Sequence, residues 1–364
     1  MCLLLQLLLL ALPLATSLPA FTAAPALDLQ PPFDIQAPYL GGDVDTSVVL
    51  DAQRTLWLHG DTLVGTYSGG TRSVTSMPRN SVALRAPNGS LTHFIRASDP
   101  RNPAHVGFFS PPLPSQWYWP TCGVVVAGQL SVLAMRVEPG PPGLFPFQLA
   151  GTDVLSLGSV GVLAQDPLHW PPPAITQLPF TSPNFTLGNA VGVGGGYVYL
   201  LAGCGDAART ACMARITEGG FVAGAFEAQL QGYTPSGAWL PLATLSPATD
   251  LAPLFDFVPS EATLTYHAGL GLWVVLRVNT FLGAAIEGLF APTPSGPWAA
   301  TPLYTIPPEL LSGGTFCYAG KVHPELGREG VSELLLTYVC NTPSIPQLLN
   351  RSNVYIPQLV RVRW

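Results

Sequence analysis

The sequence predicts an all-β chain folded as a five-bladed β-propeller. Three observations carry that expectation. Apolar residues make up 48% of the chain and charged residues only 10%, a composition that supplies a large core. Gly and Pro number 37 and 39 among 364 residues, which suits many short strands joined by tight turns. One strand–turn–strand pattern then recurs five times, at intervals of roughly 60 to 75 residues.

The hairpins follow in chain order. The first joins 46–50 to 55–59 through a turn at Asp51 to Arg54. The second joins 122–127 to 130–135 across Gly128. The third joins 189–193 to 197–201 through Gly194, Gly195 and Gly196. The fourth joins 262–266 to 272–276 at Ala268-Gly269. The fifth joins 315–323 to 333–338 through Leu326 to Gly330. Val and Leu dominate these strands, as expected where both faces of a sheet are covered. The final segment, 355–364, is expected to complete a blade and to pair with N-terminal residues, closing the ring. A sandwich of ten or more strands is the competing architecture.

The N-terminus carries an apolar run, Leu3 to Leu12, followed by Ala15-Thr16-Ser17. That run is too short to span a bilayer and has the shape of a signal peptide. Residues 1–17 are therefore expected to be a signal peptide and 18–364 a single secreted, extracellular propeller domain with no membrane span. Sequons at Asn88, Asn184 and Asn350 agree with a glycoprotein. Hairpin symmetry sets Cys317 opposite Cys340 and Cys204 opposite Cys212, so both pairs are expected as disulfides, with Cys122 free and buried. Formal net charge is −6, and without a basic patch nucleic acid is excluded as a partner. Cys and His show no zinc-ligand spacing. No cofactor is expected, although clustered carboxylates would suit Ca²⁺. A serine-hydrolase elbow, a P-loop and a zinc-protease helix motif are all missing. A monomer is expected.

In a propeller the first strand of each blade lines the axial channel, and the second returns to the same face. Residues just before strand one and just after strand two therefore converge on a funnel. In blade one these are Asp43, Asp45 and Asp61, and in blade four Glu261. Blade two brings Trp117 and Trp119, with Tyr118 between them, ahead of its strand. Blade three brings Asn189, and blade five Tyr318 and His323. Arg79 and Asn80 follow the Asp61 loop and are placed to pair with a carboxylate or a ligand oxygen. Close carboxylates repel, so one of them must hold its proton more tightly, as general acid–base chemistry requires. Asp43, Asp61 and Glu261 are thus the candidate catalytic groups, and the other eight are candidate substrate-binding groups. The plainer readings are turn caps for Asp45 and Asp61, a surface site for Glu261 and core packing for the tryptophans. Paired carboxyl groups beside aromatic faces make carbohydrate the leading ligand class.

The run Gly42-Asp43, Thr55-Leu-Trp-Leu-His-Gly-Asp61-Thr62 and Arg79-Asn80-Ser81 resembles the opening blade of a group of secreted proteins long filed as a domain of unknown function. Mycobacterial endo-D-arabinanases belong to that group. His59 stands where the group carries Phe. Glu261 with Tyr266, Ser295-Gly-Pro-Trp298 and His323-Pro324-Glu325-Leu326 resemble its later blades. The resemblance implies a five-bladed propeller similar to arabinan- and fructan-cleaving hydrolases, with Asp43 and Asp61 as the acid–base pair. The expected function is a secreted glycoside hydrolase acting on an arabinan-like or other furanoside polysaccharide or oligosaccharide. The alternatives are a non-catalytic, lectin-like propeller and a protein-interaction propeller.

Overall fold

The computed structural model describes residues 18–96, 107–143, 146–206, 209–280, 283–328 and 330–364. Five antiparallel sheets follow one another along the chain. Blade one holds Thr46–Val49, Thr55–His59, Ser81–Arg85 and Leu91–Phe94. Blade two holds Trp117–Val126, Gln129–Pro139, Phe147–Ser159 and Ala174–Gln177. Blade three is five-stranded: Phe185–Gly194, Tyr197–Cys204, Thr210–Thr217, Gln231–Tyr233 and Trp239–Pro241. Blade four holds Thr263–His267, Leu272–Val278, Ala285–Ala291 and Ala299–Thr305. Blade five holds Phe316–Val322, Glu333–Asn341 and Pro357–Arg363, and its outer strand is Thr22–Pro25 from the other end of the chain. Thr22 lies opposite Arg363 and Pro25 opposite Val360, so the two ends of the chain close the ring as expected.

The core consists of seams between blades. Val48 and Leu58 pack with Tyr118 and Val132 across blades one and two. Val124 and Leu133 meet Leu187 and Val198 across two and three. Leu201 and Met213 meet Leu264 and Val275 across three and four. Val274 and Leu276 meet Val322 and Leu336 across four and five. Trp57 and Ala83 meet Leu335 and Leu359 across five and one. Consecutive residues such as Leu334, Leu335 and Leu336 are all buried because each blade is covered on both faces. Near the axis the blades approach closely. A methyl at Gly123 would lie 2.5 Å from Cγ2 of Val48, so the first strand of blade two accepts no side chain there.

Three details differ from the sequence-based expectation. Residues between His59 and Ser81 leave blade one and, with Tyr39–Gly42, build a separate three-stranded sheet from Thr62–Ser68 and Thr71–Ser76. Arg72 anchors it by donating to the carbonyls of Leu40, Arg351 and Val354. Trp117 and Trp119 lie inside the first strand of blade two rather than ahead of it. The Cys317–Cys340 disulfide is formed, but the expected Cys204–Cys212 bridge is not. The register pairs Cys204 with Thr210 and Ala202 with Cys212, so these cysteines are diagonal neighbours. Diagonal Cα atoms stand about 7–8 Å apart, beyond disulfide reach. Both thiols are free and buried, as is Cys122. In the turn between them, residues 207–208 lie outside the described residues. The expected signal peptide, 1–17, also lies outside them. Among the described residues no helix is long and apolar enough to cross a membrane.

Candidate active site

Blade one presents two carboxylates through a distorted entry into its hairpin. Val44 and Asp45 both adopt left-handed backbone conformations, with φ of 70° and 50°. Such a conformation costs a non-glycine residue on the order of 1–3 kcal/mol and marks functional segments. The Asp43 carbonyl accepts from the amides of Asp45 and Gly60, each at 2.9 Å. This kink turns Asp43 into a cavity of about 670 Å³ at the mouth of the channel and sends Asp45 into the body of the blade.

Asp43 accepts a hydrogen bond from the Tyr318 hydroxyl at 2.7 Å. Asn341 donates to that hydroxyl at 3.1 Å, which directs its proton toward Asp43. The Tyr355 hydroxyl lies 3.2 Å from the same carboxylate oxygen and 3.0 Å from the Asp61 carbonyl. Asp61 takes a contact from Arg79 at 3.3 Å and a hydrogen bond from Trp119 Nε1 at 3.0 Å. The Arg79 guanidinium lies over the Trp117 ring, 4.6 Å from its centroid. Burial raises the Asp43 carboxyl well above the usual carboxylate range, and the charges of Glu261 and Asp61 add to it. Burial also raises Asp61, against the opposing pull of Arg79.

Glu261 enters the cavity from just before the first strand of blade four. Its Oε2 is buried and accepts no hydrogen bond. Burial pushes its carboxyl up to about 7, opposed by Lys321 and aided by Asp45 and Asp61. Asn189 positions this segment: its carbonyl accepts from the Ala262 amide at 3.0 Å and its side chain donates to the Pro259 carbonyl at 3.0 Å. Three carboxyl groups from two blades thus share one cavity floor. They cannot all ionise cheaply, so the group as a whole retains a proton near neutral pH. Asp43 and Asp61 have O–H and N–H donors to stabilise their charge, whereas Glu261 Oε2 has none.

Of the eleven residues singled out from sequence, six line the cavity: Asp43, Asp61, Glu261, Trp119, Asn189 and Tyr318. Arg79 and Trp117 stand behind Asp61. The other three are consumed elsewhere. Asp45 is buried against His59, Oδ1 to Nδ1 at 2.8 Å, with its carboxyl pushed up to about 8 by burial. Asn80 is spent on the backbone of Phe109 and Tyr118. His323 bonds Ser47 and Thr337, each at 2.7 Å, and stacks on Trp57 at the seam of blades five and one. For Asp45 the funnel rule fails because two successive left-handed residues, Val44 and Asp45, reverse its side-chain direction. Sequence reasoning missed Tyr355 and Asn341, and also Phe147, Phe257 and Phe316 on the walls. Tyr355 reaches the site from an irregular residue of φ 63°, for which no pattern in the sequence gives a signal. Among the described residues no group of three His, Cys, Asp or Glu is arranged to hold a metal ion.

Comparison with known proteins bears on the fold. A protein from Bacteroides ovatus ATCC 8483, described as a candidate hydrolase, superposes with a TM-score of 0.73 at 18% identity, over 94% of this chain and 90% of that one. Looser likenesses reach a xylan β-1,4-xylosidase from Bacillus halodurans C-125 and a GH43_1 enzyme from Xanthomonas citri. The first has a TM-score of 0.47 at 13% identity, over 91% of this chain and 55% of that one. The second has a TM-score of 0.46 at 10% identity, over 93% and 89%. The two looser likenesses carry no argument of their own. No curated protein matches the chain in sequence. The family described as "Domain of unknown function (DUF5005)" matches residues 33–364, nearly the whole propeller, and the chain belongs to that family.

Proposed function

We propose that this chain is a secreted glycoside hydrolase acting on a furanose-containing polysaccharide or oligosaccharide, arabinan-like in the first instance. The observation that carries the reading is the trio Asp43, Asp61 and Glu261 on the floor of one cavity. Glu261, which keeps its proton, donates it to the glycosidic oxygen as the bond to the leaving sugar breaks. Asp43, aimed by two tyrosine hydroxyls, serves the anomeric carbon, either by deprotonating an attacking water or by direct attack. Asp61, tied to Arg79 and Trp119, supplies fixed negative charge beside the developing oxocarbenium ion. Trp119, Phe147, Phe257 and Phe316 offer ring faces to the apolar sides of sugars. The description of the Bacteroides ovatus protein as a candidate hydrolase agrees with this reading. Asn88, Asn184 and Asn350 are all exposed, in keeping with a secreted glycoprotein.

The test is reducing-sugar release from arabinan, xylan, levan and inulin, with p-nitrophenyl furanosides alongside. Wild-type protein should cleave at least one. Asp43→Asn and Glu261→Gln, both folded by circular dichroism, should each lose about 10²–10⁴-fold in rate. Binding to a glycan without cleavage would refute the hydrolase and support the lectin-like reading. Full activity in Asp43→Asn would refute the role given to that residue.

A further inference from the structure

Lys321 is the sole lysine of the chain, and the other cationic residues are arginines. It lies in the first strand of blade five and is fully buried. Its ammonium donates to the carbonyl of Thr121 in blade two at 2.8 Å and to the carbonyl of Ala262 at 3.1 Å. Ala262 directly follows Glu261. The Thr121 hydroxyl in turn donates to the Gly188 carbonyl of blade three at 2.9 Å. One ammonium therefore ties blades two, four and five together beneath the cavity floor, with blade three one bond away.

A buried ammonium is costly unless negative charge or strong acceptors surround it. Two carbonyls supply acceptors. The titratable groups that act on it electrostatically are Glu261 from blade four, Cys122 from blade two and Asp45 from blade one. His323 lies just past the end of the Lys321 strand and bears on the same Asp45, while Asp61 and Asp43 interact electrostatically with Glu261. Among these, Glu261 exerts the largest electrostatic pull on Lys321, and Lys321 is the cation that opposes the burial of Glu261. Glu261 Oε2 has no hydrogen-bond donor of its own.

We infer that Lys321 is the built-in counter-cation of the carboxylate cluster and a positioning residue for Glu261, its ammonium setting the pH window in which the site works. The inference rests on the hydrolase reading for its kinetic consequence, but not for its electrostatic one. The bland alternative is a strut that holds three blades together and leaves the carboxylates alone.

Being the only lysine, Lys321 can be observed directly. Full-length protein labelled with ¹⁵N-lysine should give a single side-chain ammonium signal, titratable by NMR. Glu261→Gln should lower the pH at which that ammonium loses its proton by half a unit or more, and Asp45→Asn should move it in the same direction. Lys321→Met removes the cation, so Glu261 should keep its proton to higher pH. The alkaline limb of kcat/KM should then move up by about one pH unit. A strut predicts instead a loss of rate by one factor at every pH, and that result would overturn the inference. An unmoved ammonium titration in Glu261→Gln would overturn it too, and that arm decides if Lys321→Met fails to fold. Wild-type protein that cleaves no glycoside would refute the hydrolase reading while the NMR arm still judges Lys321.

Discussion

Gly60 follows the second strand of blade one, and its amide donates to the Asp43 carbonyl. A methyl in place of its hydrogen would lie 2.3 Å from Oδ1 of Asp43 and 2.9 Å from Cγ2 of Val44. Ordinary contact begins near 3.4 Å, so in Gly60→Ala the carboxyl must retreat by about 1 Å. That retreat stretches the 2.7 Å bond from Tyr318 beyond hydrogen-bond range. A misplacement of about 1 Å in a reacting group costs on the order of 10²-fold in rate. Stability should fall by about 0.5–2.5 kcal/mol. The lost hydrogen bond to a charged acceptor costs about 1.5–3 kcal/mol, while alanine recovers roughly 0.4–1 kcal/mol from the unfolded chain, and a carboxyl freed toward cavity water recovers solvation. The assay is kcat/KM beside urea unfolding, run on Gly60→Ala, Asp43→Asn and the double variant. If Gly60 acts through Asp43, the double variant is no slower than Asp43→Asn alone. Activity within threefold of wild type in Gly60→Ala would refute the geometry given for Asp43.

Further outcomes follow from the structure. The acid Glu261, pushed up to about 7, must be protonated to act, so kcat/KM should fall as pH rises through about 7, and a rate that climbs through that pH would contradict its role. The same raised value means that the folded state holds a proton the unfolded chain releases, so stability is lost as pH rises from about 4.3 through 7, and Glu261→Gln should be the more stable protein above pH 7. Deleting residues through Pro25 strips the outer strand from blade five and bares the edge of Pro357–Arg363. The truncated protein should melt lower and aggregate, as light scattering during a thermal ramp would reveal. Thiol titration in denaturant of the chain from residue 18 onward should find three free cysteines, Cys122, Cys204 and Cys212. A count of one would restore the second bridge. Opening the 23-residue loop with Cys317→Ala and Cys340→Ala should cost about 3 kcal/mol.

Much of the architecture was legible because propeller blades repeat one physical problem. Each inner hairpin must bury both faces, so Val-Val, Leu-Leu and Trp runs recur and fix five blades. The same hairpin arithmetic placed Cys317 opposite Cys340, and the bulge between Tyr318 and Lys321 shifts the register by only one residue, which brings that pair into line. It failed for Cys204 and Cys212, which the observed register sets two residues out of line. The carboxylates were legible from their place beside strand ends. Asp45 was misjudged because successive left-handed residues break the alternation on which facing arguments rest. Tyr355 and the separate sheet of Thr62–Ser68 were illegible because they belong to irregular insertions, whose course is set by tertiary contacts such as those of Arg72.

The seam between blades five and one gives the ring a temporal order. Asp43 and Asp61 come from near the start of the chain, whereas Tyr318, Asn341 and Tyr355 come from near its end. Those tyrosines reach Asp43 across more than 270 residues of sequence. The floor of the cavity is thus split between the first blade made and the last, and the strand Thr22–Pro25 waits for a partner until Pro357–Arg363 has been synthesised. A growing or half-docked chain carries its carboxylates without the hydroxyls that aim them. Competence at the cavity is in this sense a property of the closed circle, and turnover would report closure more sharply than any single blade's folding.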